Sequence, residues 1–134
     1  MVKKLALWIG VILLAVGVLG FVPGITSNNM LLGIFQVDAI HNIIHLVSGA
    51  IGIWASMTSM KASKMYFQVF GVIYAIVTVV GFLQGTTVLG LISVNMADNL
   101  LHLVIAAVSL YVGFAMKGSE MSMGSSTPMK PAGM

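Results

Sequence analysis

Val37-Asp38-Ala39-Ile40-His41-Asn42-Ile43-Ile44-His45-Leu46 returns in altered form 57 residues later as Val94-Asn95-Met96-Ala97-Asp98-Asn99-Leu100-Leu101-His102-Leu103. Each copy opens a long apolar run. Together they hold all three histidines and two of the three acidic residues in a chain of 134 residues. The surroundings are almost pure hydrocarbon, so the doubled polar cluster is either a site or a structural clasp.

Outward from the motif, 59% of the residues are hydrophobic and 7% charged, with a mean hydropathy of +1.08. Soluble domains carry about 25% charged residues. Four apolar runs, at about 5–22, 39–57, 65–83 and 98–116, approach the ~20 residues that span a bilayer as helix. They are continuous, without the period-2 alternation of membrane strands. The chain therefore reads as an all-α bundle of four transmembrane helices, with the lipid bilayer as its solvent. The absence of cysteine removes disulfides, thiol nucleophiles and iron–sulfur ligation. The charge of +3 comes from six scattered lysines, which gives nucleic acid nothing to bind.

The lysines set the expected orientation. Lys3 and Lys4 precede the first run, Lys61 and Lys64 lie between the second and third, and Lys117 and Lys130 follow the fourth. The connections 23–37 and 84–97 have neither Lys nor Arg. By the positive-inside rule both termini are cytoplasmic (N-in/C-in) and the doubled motif lies on the outer side. Met1-Val2-Lys3-Lys4 also suits a secretory signal, but no small-x-small cleavage site follows, so the first run is read as a retained span. Trp8, Trp54 and Tyr66 fall near the inner helix ends and read as interfacial anchors.

A shift of 61 residues lays 8–24 over 69–85 with eight identities in seventeen positions, including the Gly20-Phe21/Gly81-Phe82 and Gly24/Gly85 pairs. The change of offset from 61 to 57 makes the first outer loop four residues longer. The repeating unit is a two-span hairpin, so the copies point the same way and form a parallel repeat about an axis along the membrane normal.

Asp38 and Asn95 take matched places as helix N-caps. One helical face then carries His41, His45, Gly49, Gly52 and Ser56 on span 2, and Asp98, His102, Ala106, Ser109 and Gly113 on span 4. Small faces permit close approach in membranes, which predicts that spans 2 and 4 meet near the axis. Matched positions then bring His41 towards Asp98 and His45 towards His102.

Gly17-Val18-Leu19-Gly20-Phe21-Val22-Pro23-Gly24, Leu32-Gly33-Ile34-Phe35, His41-Asn42-x-x-His45-Leu46 and Asn95-x-Ala97-Asp98-Asn99-x-Leu101-His102-Leu103 resemble the bacterial membrane-protein family catalogued as domain of unknown function 4383. The resemblance covers about 5–113. It implies four spans in a bacterial plasma (inner) membrane, and it carries no activity, substrate or catalytic residue.

The favoured reading is a small integral membrane protein of structural or accessory role. In it His41, Asn42, His45, Asp98, Asn99 and His102 form a polar clasp at the outer ends of spans 2 and 4. No cofactor is expected on that reading. The alternative is a divalent metal or b-type haem held by His41, His45, Asp98 and His102. The sequence carries no nucleophile–base set or phosphate loop, so an enzyme is not expected. Glycine-lined faces suit packing within the monomer and, second to that, a homo-oligomer or a larger membrane complex. Residues 117–134, rich in Met, Gly, Ser and Pro, read as a disordered cytoplasmic tail.

Because the chain has no cysteine, single cysteines report sidedness directly. On intact cells a membrane-impermeant maleimide is expected to label Ser27→Cys and to spare Ser122→Cys until the cells are opened. The reverse pattern would invert the topology.

Overall fold

A computed structural model describes residues 1–117; the expectation of a disordered tail falls outside these residues from 118 onward. Four helices form the bundle: α1 (Val2–Leu19), α2 (Ala39–Thr58), α3 (Met60–Gln84) and α4 (Met96–Leu110), the last running on through a π-helical turn over Tyr111–Ala115. All four, α4 taken with its π turn, are long and apolar enough to cross a membrane. The loops that close one end of the bundle contain short strands: β1 (Thr26–Ser27), β2 (Met30–Leu31), β3 (Phe35–Gln36), β4 (Thr87–Val88) and β5 (Ile92–Ser93).

The helix ends differ from the predicted runs for local reasons. α1 stops at Leu19, ahead of Val22-Pro23, because a residue before proline is pushed out of the α region. Ser59 is the whole connection between α2 and α3. Its backbone is extended (φ −169°, ψ 167°) and it closes one helix while capping the next. Its Oγ accepts the Ala62 N–H at 3.0 Å, and Ser63 Oγ donates back to the Ala55 carbonyl at 3.1 Å. Lys61 and Lys64 therefore lie on the first turns of α3 and not in a loop.

The loops repeat as the offsets demand. β2–β3 and β4–β5 are antiparallel pairs 57 residues apart. In both, the turn places Leu then Gly in the left-handed region, at Leu32/Gly33 and Leu89/Gly90. A type I′ turn requires positive φ at both central residues, and glycine supplies the second without strain. The four extra residues of the first loop add β1. It joins β2 through Asn28-Asn29, both at positive φ, as a two-residue I′ hairpin also demands.

The bundle buries polar side chains alongside two hydrophobic clusters, one around Phe67 and one around Leu13 and Ile105, and turns an apolar surface outward. Buried polar residues include His41, Asn42, His45, Ser48, Asp98, Asn99 and His102, while Trp8, Ile12, Ile43, Val47, Val79 and Val104 are exposed. Such a surface is compatible with lipid and not with water. Trp8 and Trp54 are 64% and 63% exposed, but Tyr66 is 4% exposed and donates to the Ser48 carbonyl at 2.9 Å. Tyr66 is an interior strut and not an interfacial anchor.

The small faces of α2 and α4 are buried as predicted, but they do a different job. α1 packs along α2 and α3 along α4, whereas α2 and α4 are not neighbours along their backbones. Gly10 lies so close to α2 that a Cβ there would meet Ile53 N at 2.7 Å and Gly49 O at 2.8 Å. Its counterpart Gly71 lies similarly against Leu110. Close approach is thus used within each hairpin: Gly10 rests against Gly49 and Ile53 of α2, and Gly71 against Leu110 of α4. At the loop end the side chains of Asn42 and Asn99 rest on Gly20 and Gly81, where a Cβ would overlap each Asn Oδ1.

Gly81→Ala is therefore expected to lower stability by about 1–3 kcal/mol, the range for overpacking. Thermal unfolding in detergent checks it: Gly20→Ala is expected to match, and an unchanged midpoint for both would contradict the packing described.

Candidate functional site

The sequence makes Asp38 and Asn95 helix caps, and each also reaches into the other hairpin. Asp38 Oδ1 accepts the His41 N–H at 2.7 Å, closing the first turn of α2. Its Oδ2 accepts the Ser93 N–H of β5 at 2.7 Å. Asn95 Oδ1 accepts the Asp98 N–H at 3.0 Å, while its Nδ2 donates to the Ile34 carbonyl at 2.9 Å. Burial pushes the Asp38 carboxyl up, but the N–H donors of His41 and Ser93 outweigh it and hold the group below the usual carboxylate range.

The mismatched pair completes the pattern. His41 Nδ1 lies 2.9 Å from the Ser93 carbonyl. Asp98 Oδ2 accepts the Gln36 N–H of β3 at 3.0 Å and the Asn95 N–H at 2.9 Å. Gln36 and Ser93 are themselves matched positions, 57 apart. Each hairpin thus sends the third residue of its second helix to the same backbone position of the other. One copy uses a donor to take a carbonyl, and the other uses an acceptor to take an N–H. Among the described residues no ion pair joins His41 to Asp98. The backbone groups of β3 and β5 are nearer partners, and groups with no water to turn to must be satisfied. Sequence reasoning missed Gln36 and Ser93 because their contributions are main-chain atoms; only their matched spacing marks them.

Beneath this clasp the three imidazoles converge. Ring centroids are 4.6 Å apart for His41–His45, 5.5 Å for His41–His102 and 6.0 Å for His45–His102. One ligating nitrogen from each falls within 4.8 Å of the others, and all three rings are buried. Asp98 is outside this group, its carboxylate being held on backbone N–H groups. His41 Nε2, both nitrogens of His45 and His102 Nδ1 are buried without a hydrogen-bond partner. His41 Nδ1 faces a carbonyl, so it carries the proton and leaves Nε2 with its lone pair towards the cluster. Asn42 and Asn99 are buried on their glycines, apart from the imidazole group.

Residues 3–115 match the family described as a domain of unknown function, DUF4383. The chain belongs to that family. No curated protein and no solved structure matches it. The matched segment takes in the four helices apart from Val2, both loops and every residue of the clasp and the imidazole cluster, so the DUF4383 unit contains the whole site.

Because His41 and Asp98 have separate partners, a cycle of His41→Ala, Asp98→Ala and the double variant is expected to be additive within about 0.5 kcal/mol. Asp98→Ala alone should cost about 1–3 kcal/mol by leaving buried N–H groups unpaired. Unfolding in detergent reads both, and a strong coupling would mean that the two side chains contact each other directly.

Proposed function

We propose that this small membrane protein binds one divalent transition-metal ion of the zinc class through His41, His45 and His102. The observation that carries the reading is the convergence of buried imidazole nitrogens that lack any partner. Structural duty accounts for Asp38, Asn95, Asp98 and His41 Nδ1, each of which has its hydrogen bond. It leaves the remaining nitrogens uncompensated, at about 1–3 kcal/mol for each buried unsatisfied group. A metal accepts lone pairs from all three rings at once.

The donor set suits zinc, copper, nickel or ferrous iron, whereas magnesium and calcium want oxygen. Three imidazoles at Zn–N distances of ~2.0–2.1 Å stand about 3.4 Å apart in a tetrahedron. The present separations lie within 4.8 Å, so ring movements on the order of 1 Å close the shell. The His41–Ser93 hydrogen bond is the kind of outer contact that fixes the tautomer of a metal-ligating histidine. Asp38, the N-cap of α2, and Asp98, in the first turn of α4, place acidic groups at the starts of the two ligand-bearing helices. A b-type haem fits less well. A porphyrin between His45 and His102 needs a clear plane, and the His41 ring stands 4.6 Å and 5.5 Å from those two rings.

On this reading the clasp is the scaffold of the site, and the role is binding rather than catalysis, as a monomer, a homo-oligomer or a subunit of a membrane complex. The lysine pattern supports an orientation with both termini cytoplasmic and the histidines on the outer side, and the family resemblance suggests a bacterial plasma membrane.

Protein purified without a polyhistidine tag and stripped with chelator is expected to take up one equivalent of Zn2+ by elemental analysis. At a hundred times the dissociation constant, the metal should add about 2.7 kcal/mol to stability. Asp98→Asn should retain the metal, and His45→Ala with His102→Ala should lose it. Equal uptake by the double-histidine variant would refute the assignment.

A further inference from the structure

We infer that the fourth position of this metal site faces the lipid phase and takes the carboxylate head of a long-chain acid. The inference rests on the metal reading above. A cavity of about 470 Å³ lies between α2, α3 and the β4–β5 hairpin, and His41, His45 and His102 form part of its wall. That volume is within the ~300–1,000 Å³ of small-molecule sites. Apart from the histidines, Ser48 and Tyr74, its lining is wholly apolar.

The mouth of the cavity is identified by the residues that line it and are also exposed. Ile43 and Val47 on α2 and Ile73 and Ile76 on α3 are each about half exposed, and Leu89 and Leu91 of the β4–β5 hairpin are exposed at its loop edge. The four helical residues lie on the apolar outer surface of two helices that pack together less closely than either hairpin's own pair, and the loop residues at the rim are apolar too. A molecule entering there comes from the bilayer and not from water. The same cavity is walled by the three histidines, so a fitting occupant has a hydrocarbon body and one ligating head.

The charge of the ligand set selects the head. Three histidines are neutral ligands, so a bound dication keeps its full charge in a poorly solvated place. An anionic oxygen at the open position offsets part of it. A fatty carboxylate supplies both the anion and the chain, and each buried CH2 strengthens its hold.

Cobalt-loaded protein in nanodiscs tests this, because the visible d–d bands of Co2+ report its coordination shell. Octanoate is expected to shift those bands at ~10-fold or more lower concentration than acetate. Filling the mouth with Val47→Trp or Ile76→Trp should abolish the advantage while leaving the bands and the acetate response in place. That variant also controls for octanoate enrichment in the lipid, which the substitution does not alter. Equal potency of the two acids, no response to either, or an octanoate advantage that survives both substitutions would overturn the inference while leaving the metal site standing. A chain that gives no bound-cobalt bands at all would instead overturn the metal reading, and this inference with it.

Discussion

The structure depends on a reciprocal exchange between side chains at the start of one hairpin's second helix and the main chain of the other hairpin's loop. Asp38 and His41 take the N–H and carbonyl of Ser93, and Asp98 takes the N–H of Gln36. Asn95 adds the Ile34 carbonyl. In a bundle whose second and fourth helices barely touch along their backbones, these bonds are what fixes one hairpin against the other at the loop end. They do so where unpaired backbone groups are costly, because short strands near the hydrocarbon have little water to bond. The same bonds place the three imidazoles below them.

Duplication with one asymmetric substitution gives this arrangement its form. Two equal copies would have presented like residues at positions 41 and 98. A histidine in one and an aspartate in the other allows a donor to meet a carbonyl and an acceptor to meet an N–H at matched backbone sites. The asymmetry also decides the count of rings at the centre. His45 and His102 are the symmetric pair, and His41 is the third, brought to 4.6 Å and 5.5 Å from them. The copy with aspartate contributes a helix cap and capping box instead of a fourth ring.

Much of the fold was legible in the sequence because membrane helices announce themselves by length and apolarity. The offsets of 61 and 57 also located the extra loop residues that became β1. The caps were readable from Asp38 and Asn95 because N-capping is a local effect of one side chain on its own turn. What sequence reasoning missed is non-local or main-chain in origin. Pairing His41 with Asp98 follows from charge alone, and the structure prefers backbone partners that no residue type encodes. Placing α2 against α4 follows from their small faces, but the partner helix of each hairpin takes them: Gly49 lies against Gly10 and Leu14 of α1, and Gly113 against Gln68 of α3. Tyr66 looked interfacial by position, and a single hydrogen bond to Ser48 draws it inside.

The clasp and the cluster together make the interior polar at the loop end of the bundle, and the metal reading proposed for that end is the central claim. Zinc K-edge X-ray absorption on the metal-loaded protein tests this most directly. Three histidine ligands predict a first shell of nitrogen at about 2.0–2.1 Å with the outer-shell scattering of imidazole rings. A shell of oxygens alone, without imidazole scattering, would contradict it.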